Sequence, residues 1–357
     1  MTTTNRELLG RVADTLTTLP YEAWNFGDSV AFEGMISASD LLGDERWLRF
    51  AHGFFRAWAT RARPYRRLDA TAAGLAMVEV HERTGDPLVL EAAIGLASYL
   101  TSRPRIGDVF ATWEHSPLLH PYGPGALAGH EVTLLADPPP GVFVDCLHFD
   151  PPFFVALGQA ADTPRFVDEG VQQALGYVRL LQTEGGIFDH FVLEGVPDTF
   201  GPGWGRGQGW ALLGLLDVVE RLEADDVRRE ELAGSAEALI GAMVALQRDD
   251  GHWHAVVDDH ESGDETSTAA FMGAAFRRAA RIGLGDADQL RRAADSALRA
   301  ALASTDEHGI LRGVSAAVMA CTAPSHYAHV PRDFVVPWGQ GPLTLALAEA
   351  LRDEDDS

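Results

Sequence analysis

Apolar and polar positions along this chain follow helical spacing, and two kinds of segment take turns. One kind, such as DDVRREELAGSAEALIGAMVALQ, carries a charged face beside an apolar stripe; the other, such as DATAAGLAMVEV and ETSTAAFMGAAF, is small and apolar nearly all round. A helix with one apolar stripe lies on a surface, whereas one that is apolar on most sides is buried on most sides. Gly-Asp or similar turns join the buried kind to the amphipathic kind: LLGDERW at 41–47, RTGDPLVL at 83–90, QAADTPRF at 159–166 and IGLGDADQL at 282–290. Glycine stops close several amphipathic stretches, in EGGIFDH at 184–190, DDGHWHA at 249–255 and EHGILRG at 307–313.

The pattern predicts outer helices over 5–19, 44–62, 86–102, 164–182, 228–247 and 286–303, and inner helices over 28–42, 69–84, 145–160, 205–222, 265–283 and 338–352. Six buried helices ringed by six amphipathic ones make an all-α fold, the (α/α)6 barrel. No segment alternates with period two for long enough to argue a sheet. A prior of about 150 residues per domain would give two domains, but repeat architectures run longer as one unit. All of 1–357 is therefore expected to form a single barrel domain. The longer connections, 103–143, 188–204, 252–264 and 309–337, are rich in His, Trp, Tyr, Pro and Gly, and each enters an inner helix. They should wall one pocket on one rim.

Composition narrows the function. A formal net charge of −24 repels nucleic-acid phosphates and anionic membrane surfaces, so neither is an expected partner. All 28 basic residues are arginine, which excludes a lysine Schiff base or a Walker lysine. The first residues show no signal peptide, no segment approaches a membrane span, and two cysteines, Cys146 and Cys321, make neither a disulfide framework nor a zinc spacing. A soluble cytoplasmic protein, monomer or homodimer, is the expectation.

Candidate chemistry gathers at the inner-helix starts. Asp69 opens the second and Asp145 the third. Aspartate there is an ordinary cap, but apolar neighbours on both sides of Asp145 favour the neutral acid, the form that donates a proton near neutral pH. WGRGQGW at 204–210 opens the fourth with three glycines, which suits close approach of a ligand or a neighbouring backbone. Arg206 is open to two roles, a bidentate clamp on a ligand carboxylate or a buried cation answering buried acids, with Gln208 as a hydrogen-bonding partner. Trp204, Trp210 and Trp338 offer sugar-stacking faces, or packing. Histidines cluster in the rim connections at His115, His120, His130, His190, His252, His254 and His260, His190 being the favoured pocket residue. No HExxH spacing and no GxSxG elbow is present, so neither a metal, a cofactor nor a covalent serine or cysteine nucleophile is expected.

Five motifs, VDCLHFDPPF at 144–153, GGIFDHF at 185–191, WGRGQGW at 204–210, DETSTAAF at 264–271 and WGQGPLTLALAE at 338–349, follow one another as in the unsaturated rhamnogalacturonyl and glucuronyl hydrolases, glycoside hydrolase families 105 and 88, which the chain resembles through most of its length. The resemblance implies Asp145 as general acid and base, Asp69 as a second aspartate that assists or orients, and His190 and Arg206 as substrate contacts. Glu265 and Ser267, in the fourth motif, are expected to touch substrate as well, and Glu33 is a candidate contact from the first inner helix. The implied reaction is protonation and hydration of the vinyl ether of a terminal Δ4,5-unsaturated uronic acid, with an oligosaccharide as the small-molecule partner. The 103–143 connection departs from the family's histidine-bearing loop, leaving His115, His120 and His130 all open for that role, and Cys146 and His148 are unusual flanks of Asp145. Another acid-base reaction in the same barrel, an epimerase or specialised-metabolite enzyme, and a non-catalytic sugar-binding barrel are the alternatives.

Overall fold

The structure, a computed structural model, describes residues 4–22, 26–61, 72–112, 122, 129–318 and 321–355. In chain order its first helices are α1 (Asn5–Leu16), α2 (Asp28–Leu42), α3 (Arg46–Arg61), α4 (Gly74–Thr84), α5 (Pro87–Leu100), the short α6 (Gly129–Ala136) and α7 (Cys146–Ala160). There follow α8 (Pro164–Leu181), α9 (Gly205–Arg221), α10 (Val227–Ala245), α11 (Ser267–Arg281), α12 (Ala287–Ala303), the short α13 (Pro324–Ala328) and α14 (Pro337–Asp355).

The two sequence patterns become two rings. On α1 the buried positions are Leu9, Val12, Ala13 and Leu16, one stripe at i, i+3, i+4 and i+7. On α7, everything from Cys146 to Gly158 is buried. The inner ring closes on itself: α2 packs on α4, α4 on α7, α7 on α9, α9 on α11, α11 on α14, and α14 on α2. Outside it, α1 packs on α2 and α14, α3 on α2 and α4, α5 on α4, α8 on α7, α10 on α9 and α12 on α11. This is the (α/α)6 barrel that the pattern predicts. Among the described residues no helix is long and apolar enough to cross a membrane.

The Gly-Asp turns work as the chemistry of helix ends requires. Gly43 and Gly85 end α2 and α4 in the left-handed region, both at φ 66°. Acids that follow the inner helices then start outer helices: the side chains of Asp86, Asp226 and Asp286 accept from the backbone N–H of Leu88, Arg228 and Gln289.

The opposite end of the inner ring carries the long connections, and here the structure holds what the sequence did not signal. Three small sheets edge this rim: β1 (Arg105–Ile106) with β2 (Val109–Phe110); β3 (Gly141–Phe143), β4 (Phe191–Leu193) and β5 (Thr199–Phe200) in the order β3-β4-β5; and β6 (His254–Val256) with β7 (Asp259–Asp264). Most of these strands are too short to display a period of two. In the central sheet Phe143, Phe191 and Phe200 stand in register and stack at 4.7 and 4.8 Å. That aromatic ladder, with Leu135 of α6 and Leu193, forms a second small core beside the pocket wall.

Candidate active site

The central sheet sets the geometry of the site. β3 runs directly into α7, and β4 follows directly on His190; the ladder extends one rung further, where Val144 donates its N–H to the carbonyl of His190 at 2.8 Å. Asp145 and His190 therefore leave adjacent rungs of one sheet. Asp145 occupies the N-cap position of α7, yet its carboxylate accepts no bond from that helix. Instead Oδ2 lies 3.6 Å from Nε2 of His190, a pair tight enough to exchange a proton after a small movement. Both are mostly shielded, at 8% and 3% exposure.

The His190 ring is held on several sides. Trp204 lies 4.3 Å away between ring centroids, Phe143 and Phe191 meet it edge-on, and Nδ1 lies 2.8 Å from the hydroxyl of Tyr327. Next to it, Asp189 accepts a short hydrogen bond from Thr199 on Oδ2, and burial pushes its carboxyl above the usual range.

Arg206 is fully buried under Trp204 and Trp338, its guanidinium 5.0 and 6.0 Å from their rings. Nη1 donates to the hydroxyl of Ser315 at 2.6 Å and to Glu265 at 3.3 Å, and Nη2 to the carbonyl of Ala316 at 3.0 Å. Burial pulls the guanidinium below its usual range and Glu265 opposes this. Both terminal nitrogens of Arg206 already have partners, an arrangement that suits a buried cation answering a buried acid.

Other candidate residues have partners within the protein as well. Glu265 accepts from Ser267 Oγ at 2.7 Å, from Thr268 N–H at 3.2 Å and from Ser315 N–H at 3.1 Å, so Glu265 and Ser267 finish the start of α11 and anchor Arg206. Gln208 is fully buried, with its oxygen accepting from Phe188 N–H at 2.8 Å and its amide donating to the carbonyls of Phe188 and Trp204. It staples the His190 loop to α9. Gln340 of WGQG does the same on α14, its amide oriented to accept from Leu311 N–H at 2.9 Å and donate to Gly309. Trp210 is a core residue, packed on His148, Phe149 and Phe271. Trp204 and Trp338 stay at the rim, 3% and 9% exposed. Asp69, His115, His120 and the His130 side chain lie outside the described residues.

Glu33 makes its contacts inside the barrel. It accepts from Ser29 Oγ at 2.5 Å and lies 3.2 Å from Nε2 of His148, whose Nδ1 is 3.5 Å from Asp217. Glu33, His148 and Asp217 are the one group among the described residues whose donor atoms converge as metal ligands would, within 4.8 Å. Their chemistry fits a different reading. His148 has one ring nitrogen toward each carboxylate, Arg278 sits 2.6 Å from Asp217, and although burial works against its charge, Glu33 and Asp217 push the imidazole up to about 9. That setting suits an imidazolium between two carboxylates better than a ring that offers a lone pair to a cation. A groove of about 1040 Å³ lies at the far end of the barrel, lined by Arg277, Arg281, Arg299 and Asp295 among others. Arg277 and Arg281 are already paired there with Asp295, Asp353 and Glu349.

Sequence reasoning did not find Tyr327, Ser315 or Asp189. Asp189 stood beside a chosen residue, but Tyr327 and Ser315 lie in an aperiodic connection, and no spacing links Tyr327 to a partner 137 residues away.

Comparison with known proteins bears on the fold and the family. The unsaturated rhamnogalacturonyl hydrolase YesR of Bacillus subtilis is 23% identical over 334 residues, 92% of this chain and 90% of that one. Among solved structures, a possible member of the GH105 family from Salmonella enterica superposes with a TM-score of 0.84 at 20% identity, covering 99% and 96% of the two chains. The unsaturated glucuronyl hydrolase of Bacillus sp. GL1 superposes with a TM-score of 0.72 at 17% identity, covering 97% and 95%. At such identities the superpositions carry the fold, and the family rests on sequence. The chain matches Glycosyl Hydrolase Family 88 from residue 4 to residue 353, and it belongs to that family.

Proposed function

We propose that this enzyme releases a Δ4,5-unsaturated uronic acid from the non-reducing end of small oligosaccharides, with Asp145 as both acid and base. The observation that carries the reading is the non-capping carboxylate of Asp145, set at an inner-helix start with the His190 ring against it. An ordinary glycosidase needs two carboxylates flanking the glycosidic bond. Hydration of a vinyl ether needs one. Asp145 gives its proton to C4 of the C4=C5 bond and the ring oxygen shares the positive charge left at C5. Water adds at C5 while the Asp145 carboxylate takes up its proton, and the hemiketal then opens to release the sugar.

His190 lines the reacting face through Nε2, and Trp204 and Trp338 present ring edges to the sugar. Arg206 supplies positive potential from beneath rather than a fork. Within a pocket this local cation outweighs the distant acidic surface, whose field salt screens over about 10 Å. Asp69 is the proposed second carboxylate, orienting substrate. Residues 1–357 act as one catalytic domain, in the cytoplasm, as a monomer or homodimer.

The test is direct. Unsaturated disaccharides from rhamnogalacturonan, glycosaminoglycan and ulvan lyases absorb in the ultraviolet through the conjugated C4=C5 bond, and the enzyme should abolish that absorbance for at least one of them. No loss across the panel would overturn the hydrolase reading.

A further inference from the structure

The hydroxyl of Tyr327 stands between two groups. It lies 2.8 Å from Nδ1 of His190 and 3.2 Å from the carbonyl oxygen of Cys321, to which it donates. A carbonyl only accepts, and a phenol has one proton to give. With that proton on Cys321 O, the bond to His190 can form only if Nδ1 carries a hydrogen and donates it. The contact is built into the backbone. Gly201, at φ +67°, passes so near that a Cβ there would lie 2.0 Å from the Tyr327 hydroxyl and 2.7 Å from Cβ of His190.

We propose that Tyr327 is a positioning residue that locks the proton of His190 on Nδ1 and so turns the Nε2 lone pair toward Asp145. This rests on the hydrolase reading for its purpose, though not for its geometry. Asp145 and His190 then hold one proton between them, as carboxylic acid opposite neutral ring or carboxylate opposite imidazolium. A carboxylate opposite the lone pair is disfavoured. Asp145, having given its proton to C4, is therefore pressed to take one back from the water that adds at C5.

Among the described residues, the charged and titratable groups around the pair are Arg206 on α9, Asp189 beside the ring, and Cys321 and Tyr327 on the 309–337 connection, with Glu265 acting through Arg206. The phenol keeps its proton throughout, since burial first, then the neighbouring acids, push it well above its usual range.

The ring tautomer is readable without substrate, from ¹⁵N chemical shifts of histidine-labelled protein, with His190 assigned by its loss in His190→Gln. When the ring is neutral its hydrogen should sit on Nδ1, and Tyr327→Phe should move it to Nε2. That variant should also shift the basic limb of the kcat/KM profile down by about one pH unit, the scale of one hydrogen bond. Gly201→Ala, which keeps the phenol but blocks its approach, should reproduce both effects. An Nε2–H tautomer in the unaltered enzyme overturns the proposal, as does a Tyr327→Phe variant with unchanged tautomer and unmoved profile. Absence of turnover in the unaltered enzyme would instead defeat the hydrolase reading, and the tautomer would still decide the role of Tyr327.

Discussion

Nε2 of His190 faces Oδ2 of Asp145 at 3.6 Å because the backbone bond from Val144 to His190 hangs the two side chains from neighbouring rungs. The carboxylate caps nothing, so its loss should cost chemistry and leave the fold alone. Asp145→Asn should lower kcat at least about 10²-fold, the usual scale of general acid-base catalysis, with little change in the unfolding midpoint. A variant with near-normal turnover would remove Asp145 from the mechanism.

Gln208 supplies a test of whether the WGRGQGW motif binds substrate or holds the wall. Its amide pairs the N–H and C=O of Phe188, two residues before His190. Gln208→Leu leaves both buried backbone groups unpaired, at about 1–3 kcal/mol each. The expected outcome is a destabilised enzyme whose kcat falls as His190 loosens, with KM little altered. A raised KM at unchanged stability would show instead that the amide contacts substrate.

The Arg206–Glu265 pair predicts a coupled effect. Removing one member of a buried ion pair leaves an uncompensated charge and costs about 3–5 kcal/mol. Arg206→Met and Glu265→Gln should each destabilise on this scale, and the double variant should cost clearly less than the two singles added, as read from urea unfolding of all four proteins. Additive losses would mean that the two residues act independently, and would return Arg206 to the role of a free anion clamp.

How much of this was legible in the sequence depends on how local the signal is. Helical periodicity is local, and so the twelve barrel helices could be read from stripes such as Leu9, Val12, Ala13 and Leu16 and from capping acids such as Asp86 and Asp286. Asp145 and His190 could be chosen because each lies in a short motif beside a glycine turn or a helix start. What those motifs do internally was not legible. Gln208, Glu265 and Ser267 carry the polarity of binding residues, yet their partners are backbone groups and Arg206, which only the folded chain brings to them. The β3-β4-β5 ladder escaped because strands of two and three residues leave no alternation to detect.

The core triad predicts how stability should respond to pH. His148 is clasped by Glu33 of α2 and Asp217 of α9, with Arg278 of α11 on Asp217 and Glu79 of α4 close enough to feel both acids. Its imidazole is raised from 6.5 to about 9, so the folded state holds a proton that the unfolded chain releases sooner. That contribution is complete below pH 6.5 and is lost as pH rises through about 9, roughly 3 kcal/mol in all. Glu79, pushed up to about 7 by burial and by Glu33, also binds its proton more tightly when folded, but its slope lies lower, between its ordinary 4.5 and 7. The two are separable by substitution. Urea midpoints of the unaltered enzyme should fall steadily from pH 6 to pH 9. His148→Gln should flatten the upper part of that decline while keeping the lower part. If the midpoint of the unaltered enzyme holds level between pH 7 and pH 9, His148 is neutral in the fold and the triad is held by something other than its charge.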